Sequence, residues 1–349
     1  MKTNSIQPKR RDFLRKAGLA VLCTALPGGE HLRLSTQEAV VQTVQGRMKA
    51  SEMGLCLIHE HVLVDFVDTA SYDPQRWDRE QVVQRVLPYL LEAKSRGCQT
   101  LMECTPAYLG RDVRLLEKLS RESGIHILTN TGYYGARDNQ HLPEHAFHES
   151  AEALAKRWIA EFEQGIEGTS IRPGFMKIGV HPGPLSSLHQ KLVKAAALTH
   201  HATGLTIASH TGPALPAFEE MKILRKMGVD SSAFVWVHAQ NEKNTDKHVE
   251  AAQQGAWISL DGVHRDRMDA YMTLLKKMQK QRLLSKVLLS HDAGWYSPGE
   301  ELGGEFRPYT DLFEFLLPGM RAQNFSEAEI DQILKTNPSQ AYAIRKRLL

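Results

Sequence analysis

The sequence predicts an α/β chain folded as a (β/α)₈ barrel from about residue 41 to the C-terminus, and three observations predict it. From residue 54 onward, short apolar runs alternate with longer amphipathic ones. Eight such apolar runs can be counted, over a span that suits one barrel with insertions. The competing fold, an open doubly wound sheet, carries a glycine-rich phosphate turn after its first strand. Here "HEHVLVD" stands in that place.

The elements follow in order. Gly54–Val62 is the first strand, and the amphipathic stretch Arg79–Arg96 stops at Gly97, as helices commonly do. Gln99–Cys104 is the second strand, with a helix over Asp112–Ser123 ending at Gly124. His126–Thr131 is the third, followed by a long loop and a helix over Phe147–Gly165. Gly174–Val180 precedes a helix over Ser187–Thr203, and Leu205–His210 precedes one over Ala214–Lys226. Phe234–His238 leads to Thr245–Gln254, and Trp257–Leu260 leads to Arg265–Arg282. Val287–Ser290 is the eighth strand, and helices over Tyr309–Arg321 and Ser326–Lys335 close the chain. Such alternation implies a parallel sheet with right-handed crossovers. The loops after strands three and eight are the longest, and long βα loops are where barrels build their sites.

The formal charge of +3 misleads, because residues 1–16 alone hold six basic side chains against Asp12. The remainder is slightly acidic, which leaves no footprint for nucleic acid. The segment "KRRDFLRKAGLAVLCTALPGG", with Arg10 and Arg11 paired before a short apolar stretch, resembles a twin-arginine export signal. Residues 1–40 are therefore read as signal and short linker, and 41–349 as the barrel domain. The expected location is periplasmic or extracellular. The apolar stretch is too short to span a bilayer, and Leu22 is too bulky before Cys23 for a lipidation site, so no membrane anchoring is expected. Cys56, Cys98 and Cys104 sit in apolar strand segments and read as buried thiols rather than a disulfide framework.

Polar residues collect at the C-terminal ends of the strands. The first strand supplies His59 and His61, which share one face because strand side chains alternate. The fourth supplies Lys177, the fifth His210, the sixth His238, and the eighth Asp292 with His291 beside it. Singly, each has an ordinary explanation: a hydrogen-bonded core histidine, a snorkelling lysine, a helix-capping aspartate. Jointly they occupy one barrel mouth, where imidazole and carboxylate suit zinc and neighbouring divalent metals. An ammonium cannot ligate a cation, but carbamylation of Lys177 by CO₂ would make it a carboxylate-like group able to bridge two metals.

This set, "HEH" on strand one, Lys on strand four, His on strands five and six and Asp on strand eight, resembles the phosphotriesterase family of the amidohydrolase superfamily. "LGRDVRLLEKLSRESGI", "NTGYY" and "NPSQAYAI" extend the likeness from about Gly46 to the C-terminus. The resemblance implies two divalent ions, zinc by expectation. His59, His61 and Asp292 would hold the more buried one, and His210 and His238 the more exposed one. Carbamylated Lys177 and a hydroxide would bridge them. Asp292 would take the proton of the attacking hydroxide. Glu60 points away from the site and is expected to make a structural hydrogen bond behind it. The family also suggests a homodimer.

The paraoxon-hydrolysing members carry an aspartate three residues after the strand-six histidine and a histidine after strand seven. Here Asn241 and Gly262 fall at those positions, so an outward proton shuttle is missing. The expected reaction is hydrolysis of a lactone or related carboxylic ester. N-acyl amides are the alternative, then phosphotriesters, and a non-catalytic binding barrel is the rival of a different class. Tyr133, Tyr134, Arg265, Trp295, Tyr296 and Arg307 are expected to line the pocket for a small-molecule substrate. Arginines there would suit a carboxylate, phosphate or sulfonate.

Overall fold

The described residues form twelve strands: β1 (Val40–Thr43), β2 (Gly46–Lys49), β3 (Leu55–Leu63), β4 (Cys98–Glu103), β5 (His126–Leu128), β6 (Asn130–Thr131), β7 (Phe175–Gly179), β8 (Ile207–His210), β9 (Phe234–Val237), β10 (Trp257–Leu260), β11 (Val287–Leu289) and β12 (Gly294–Tyr296). The structure is a computed structural model describing Met1 and residues 38–349; the expected export signal lies outside the described residues. Strands β3 to β12 pair in parallel in the order β12-β3-β4-β5 and β6-β7-β8-β9-β10-β11, with helices between them. This is the (β/α)₈ architecture.

The strand ladder is interrupted at two places. The third strand breaks at Thr129 between β5 and β6, and the eighth breaks over Ser290–Ala293 between β11 and β12. Backbone hydrogen bonds continue across the gaps: Gly174 N donates to Thr129 O (2.8 Å), Asp292 N to His59 O (3.0 Å), and His61 N to Ala293 O (2.9 Å). The second break has a local cause. Asp292 has φ 54° and Gly294 φ 97°, outside extended geometry. That kink turns the Asp292 carboxylate toward the strand-one histidines.

The helices begin where sequence chemistry places them. Asp78, Asp112, Ser150 and Ser186 each accept a backbone N–H as N-caps, and Gly124 and Gly204 end helices in the left-handed region. Inside the barrel, Cys56, Ile58, Met102, Phe175, Val235 and Leu288 form one core; the strand-to-helix layer forms the larger one. The three described cysteines are free and buried, as expected. Among the described residues no helix is long and apolar enough to cross a membrane.

Two features were not read from the sequence. The antiparallel β1–β2 hairpin is made of four-residue strands, too short for a clear alternation. Its Val41 joins Ala341, Tyr342 and Ala343 of the C-terminal segment in packing against the barrel interior. Strand β12 returns to pair with β3, Gly294 opposite His61. At Gly294 an added Cβ would meet the His61 carbonyl at 1.8 Å, so only glycine allows that approach. Gly294→Ala is expected to destabilise the protein by about 2 kcal/mol or more, checked by denaturant unfolding.

Candidate metal centre

Six side chains from five strand ends, His59, His61, Lys177, His210, His238 and Asp292, gather at one mouth. His61 Nε2 lies 3.1 Å from Asp292 Oδ1, and His59 Nε2 lies 3.5 Å from the same oxygen. Lys177 Nζ is 3.0 Å from His59 Nε2, and His238 Nε2 is 2.8 Å from His210 Nδ1. The donor atoms of His59, His61 and Asp292 all lie within 4.8 Å of one another. His238 and Asp292 are both held in the left-handed region, at φ 60° and 54°. Such strained backbone persists where the surroundings over-determine it, and it concentrates at functional sites.

The residue that organises this cluster is Asp261, directly after β10, which sequence reasoning passed over. Its carboxylate is fully buried and accepts from Ser259 Oγ (2.6 Å), His238 N (3.0 Å) and Gln240 Nε2 (3.1 Å). It also takes His59 Nδ1 at 3.1 Å and His238 Nδ1 at 2.7 Å. Burial raises the pKa of Asp261, but His238 and His59 outweigh it and hold the carboxyl well below its usual range. An ionised Asp261 accepts Nδ1–H from both imidazoles, which turns both Nε2 atoms toward the mouth. The available signal in the sequence was a carboxylate at the end of strand seven, in register with the other ligands.

The chemistry of the donor set fits cations. Burial, with Lys177 nearby, lowers the His59 pKa to about 4, so its ring is neutral at pH 7. Burial opposes ionisation of Asp292, yet His59, a bond from His61 and His238 together hold its pKa below the usual carboxylate range. A neutral Nε2 lone pair thus faces an ionised carboxylate across 3.5 Å, an arrangement that a cation between them satisfies. Lys177 is buried with the His59 imidazole as its partner, and among the described residues no carboxylate lies within 4 Å of its amine. A carbamate on this amine would carry the negative charge that matches two cations.

Glu60 faces behind the site. Its carboxylate accepts from Ser290 Oγ (2.7 Å), His291 N (3.0 Å), His291 Nδ1 (2.6 Å) and Ala293 N (2.9 Å), gripping the broken eighth strand. His210 is steadied differently: its neighbours Ser209 and Thr211 both donate their hydroxyls to buried Glu220. Burial, opposed by those two bonds, pushes the Glu220 pKa up to about 8.

The expected pocket residues divide. Tyr134 stands at the metal cluster with its OH 3.3 Å from His210 Nδ1, and Trp295 packs edge-on to His61 at 5.5 Å. Tyr133 turns instead into packing against His145 and Trp158, and Tyr296, the last residue of β12, is buried in the larger core. Arg265 is tied to Asp311 (3.0 Å) beside the mouth, and Arg307 donates to the carbonyls of Val263 and His291. Gly262 and Asn241 both line a cavity of about 850 Å³ above the cluster, which the sequence could not outline.

Three comparisons bear on this geometry. The sequence model of the phosphotriesterase family matches residues 39–342. A phosphotriesterase homology protein of Escherichia coli K12 is 30% identical over 299 residues, covering 84% of this chain and 100% of that one. An N-acetyltaurine hydrolase of Rattus norvegicus is 26% identical over 351 residues, covering 88% of this chain and 99% of that one. Among solved structures, an organophosphorus hydrolase from Deinococcus radiodurans superposes with a TM-score of 0.79 at 23% identity, over 87% of this chain and 97% of that one.

Two outcomes test the supports of the cluster. Asp261→Asn can offer an acceptor to one imidazole only, turning the other tautomer's N–H into the mouth. Metal affinity is expected to fall about 10–100-fold, read as metal per chain after dialysis against a graded chelator. Glu220 carries a sign that can be checked by pH. Below the ordinary carboxylate value of 4.5, folded and unfolded chains both hold its proton; between 4.5 and about 8 only the folded chain does. Stability is therefore lost as pH rises through that window, and Glu220→Gln should remove this part of the slope in thermal melts between pH 4.5 and 8.

Proposed function

The chain belongs to the phosphotriesterase family and is a metal-dependent hydrolase, and from that premise we propose that it cleaves a lactone or related carboxylic ester with two metals. The observation that carries the reading is the convergence of His59, His61, Lys177, His210, His238 and Asp292, with two imidazoles fixed by one carboxylate. Those six residues would hold the metals, zinc by preference, with Lys177 as its carbamate. When bound, two such cations supply Lewis acidity to the substrate's oxygen and ease ionisation of a water.

The chain's own residues do the rest. Asp292 is ionised and takes the proton of the attacking water at its carboxylate. It then returns that proton to the departing oxygen. Tyr134 and Trp295 wall the cluster and narrow the water-accessible space around it. Asn241 and Gly262 leave no ionisable relay at the two positions that carry one in the paraoxon-hydrolysing members, which favours carboxyl over phosphotriester substrates. An ester's alkoxide leaves with less proton assistance than an amide nitrogen, so a centre with Asp292 as its acid–base group suits esters first.

The second reading is hydrolysis of an N-acyl amide, and it draws on the relative named as an N-acetyltaurine hydrolase. A purified protein lacking residues 1–37, loaded with zinc and bicarbonate, should bind about two metals per chain. It should hydrolyse lactones and esters faster than N-acyl amino acids or phosphotriesters. Lys177→Ala is expected to lose metal, and Asp292→Asn to lose about 10²–10⁴ in kcat. Faster turnover of N-acyl amino acids would select the second reading. The N-terminal basic segment supports twin-arginine export, which a fusion to a reporter that is active only after export would test.

A further inference from the structure

We infer that the mouth of this barrel holds an anion subsite, so that the substrate of the proposed hydrolysis carries a carboxylate, sulfonate or phosphate distant from the scissile bond. The two arginines expected to face the pocket do not supply it. Arg265 is neutralised by Asp311, and Arg307 spends its guanidinium on the carbonyls of Val263, His291 and Asp292. Two others do. Arg137, from the loop after β6, and Arg267, after β10, both line the cavity of about 850 Å³ that opens over His210, His238 and Asp292.

Among the described residues, neither guanidinium has a carboxylate within 4 Å or a side-chain hydrogen bond. Arg137 instead lies over the ring of Phe66, 4.3 Å from its centroid. That contact orients a cation without consuming its donors. Outside the metal cluster, the acidic group on this lining is Asp266, and it stands 3.3 Å from His264. With Arg307 included, three guanidiniums line the cavity against two carboxylates, Asp266 and, at the metal cluster, Asp292. Cations lining a cleft of one sign focus the field and concentrate anions there, and a guanidinium fork matches a planar or tetrahedral oxyanion. The cavity above the cluster gives the rest of the substrate room to reach them.

This inference rests on the hydrolase reading for its kinetic test but has a separate binding test. The probes are the 4-nitrophenyl monoester of glutaric acid, which keeps a free carboxylate, and the 4-nitrophenyl ester of glutaramic acid, its uncharged counterpart. The holoenzyme is expected to prefer the acid by about tenfold or more in kcat/KM, a preference that shrinks with added salt. The double variant R137Q/R267Q should bring the ratio near unity, and R137K/R267K should restore most of it. No preference in the holoenzyme, or a preference unchanged in R137Q/R267Q, overturns the subsite. If neither ester turns over, ester hydrolysis fails, and the subsite is decided by calorimetric titration of glutarate against glutaramide. Glutarate binding about tenfold weaker in R137Q/R267Q than in the parent supports it, and equal binding overturns it.

Discussion

Two imidazoles from distant strands, His59 on β3 and His238 after β9, share one buried carboxylate, and that sharing decides which nitrogens can meet a cation. A histidine is a ligand only through a lone pair, and which ring nitrogen carries it depends on what the other one donates to. Asp261 answers that for both rings at once. The carboxylate thereby ties β3 to the end of β9 mechanically as well as electrostatically. Ser259, Gln240 and the His238 amide saturate its remaining lone pairs, which is what makes a fully buried charge tolerable.

The barrel around that carboxylate is built to end its strands at one rim, and it departs from regularity where a ligand needs aiming. The eighth strand breaks over Ser290–Ala293, and the break is held by Glu60 from behind and by the Gly294 approach to His61. Glu60 alternates with His59 and His61 along β3, so one strand presents ligands on one face and the clamp for the opposite ligand on the other. The strain at Asp292 and His238 is thereby stored by buried hydrogen bonds rather than by flexible loops.

Charge is distributed in two tiers. The deep tier is a set of lone pairs and carboxylates that calls for cations. The outer tier is a cavity with more guanidinium than carboxylate, in which Arg137 rests on Phe66 and Arg265 is withdrawn by Asp311. A molecule with a polarisable acyl group at one end and an anion at the other matches both tiers. Asn241 and Gly262 line the space between them.

By itself the sequence determined the alternation of strands and helices, and with it the parallel barrel. Apolar periodicity and the capping residues Asp78, Asp112, Ser150 and Ser186 are local signals. It also set out the six candidate ligands, because side chains at equivalent strand ends must share a rim. The β1–β2 hairpin, the split eighth strand, the part played by Asp261, and the orientation of each aromatic were decided only by tertiary structure. Tyr133 and Tyr134 are neighbours of one chemical type, yet one packs on Trp158 and the other on His210. Arg265 and Arg267 differ likewise, since Asp311 reaches one and not the other. Pairings of that kind join residues far apart in the chain, and no local pattern encodes which distant partner a side chain will meet.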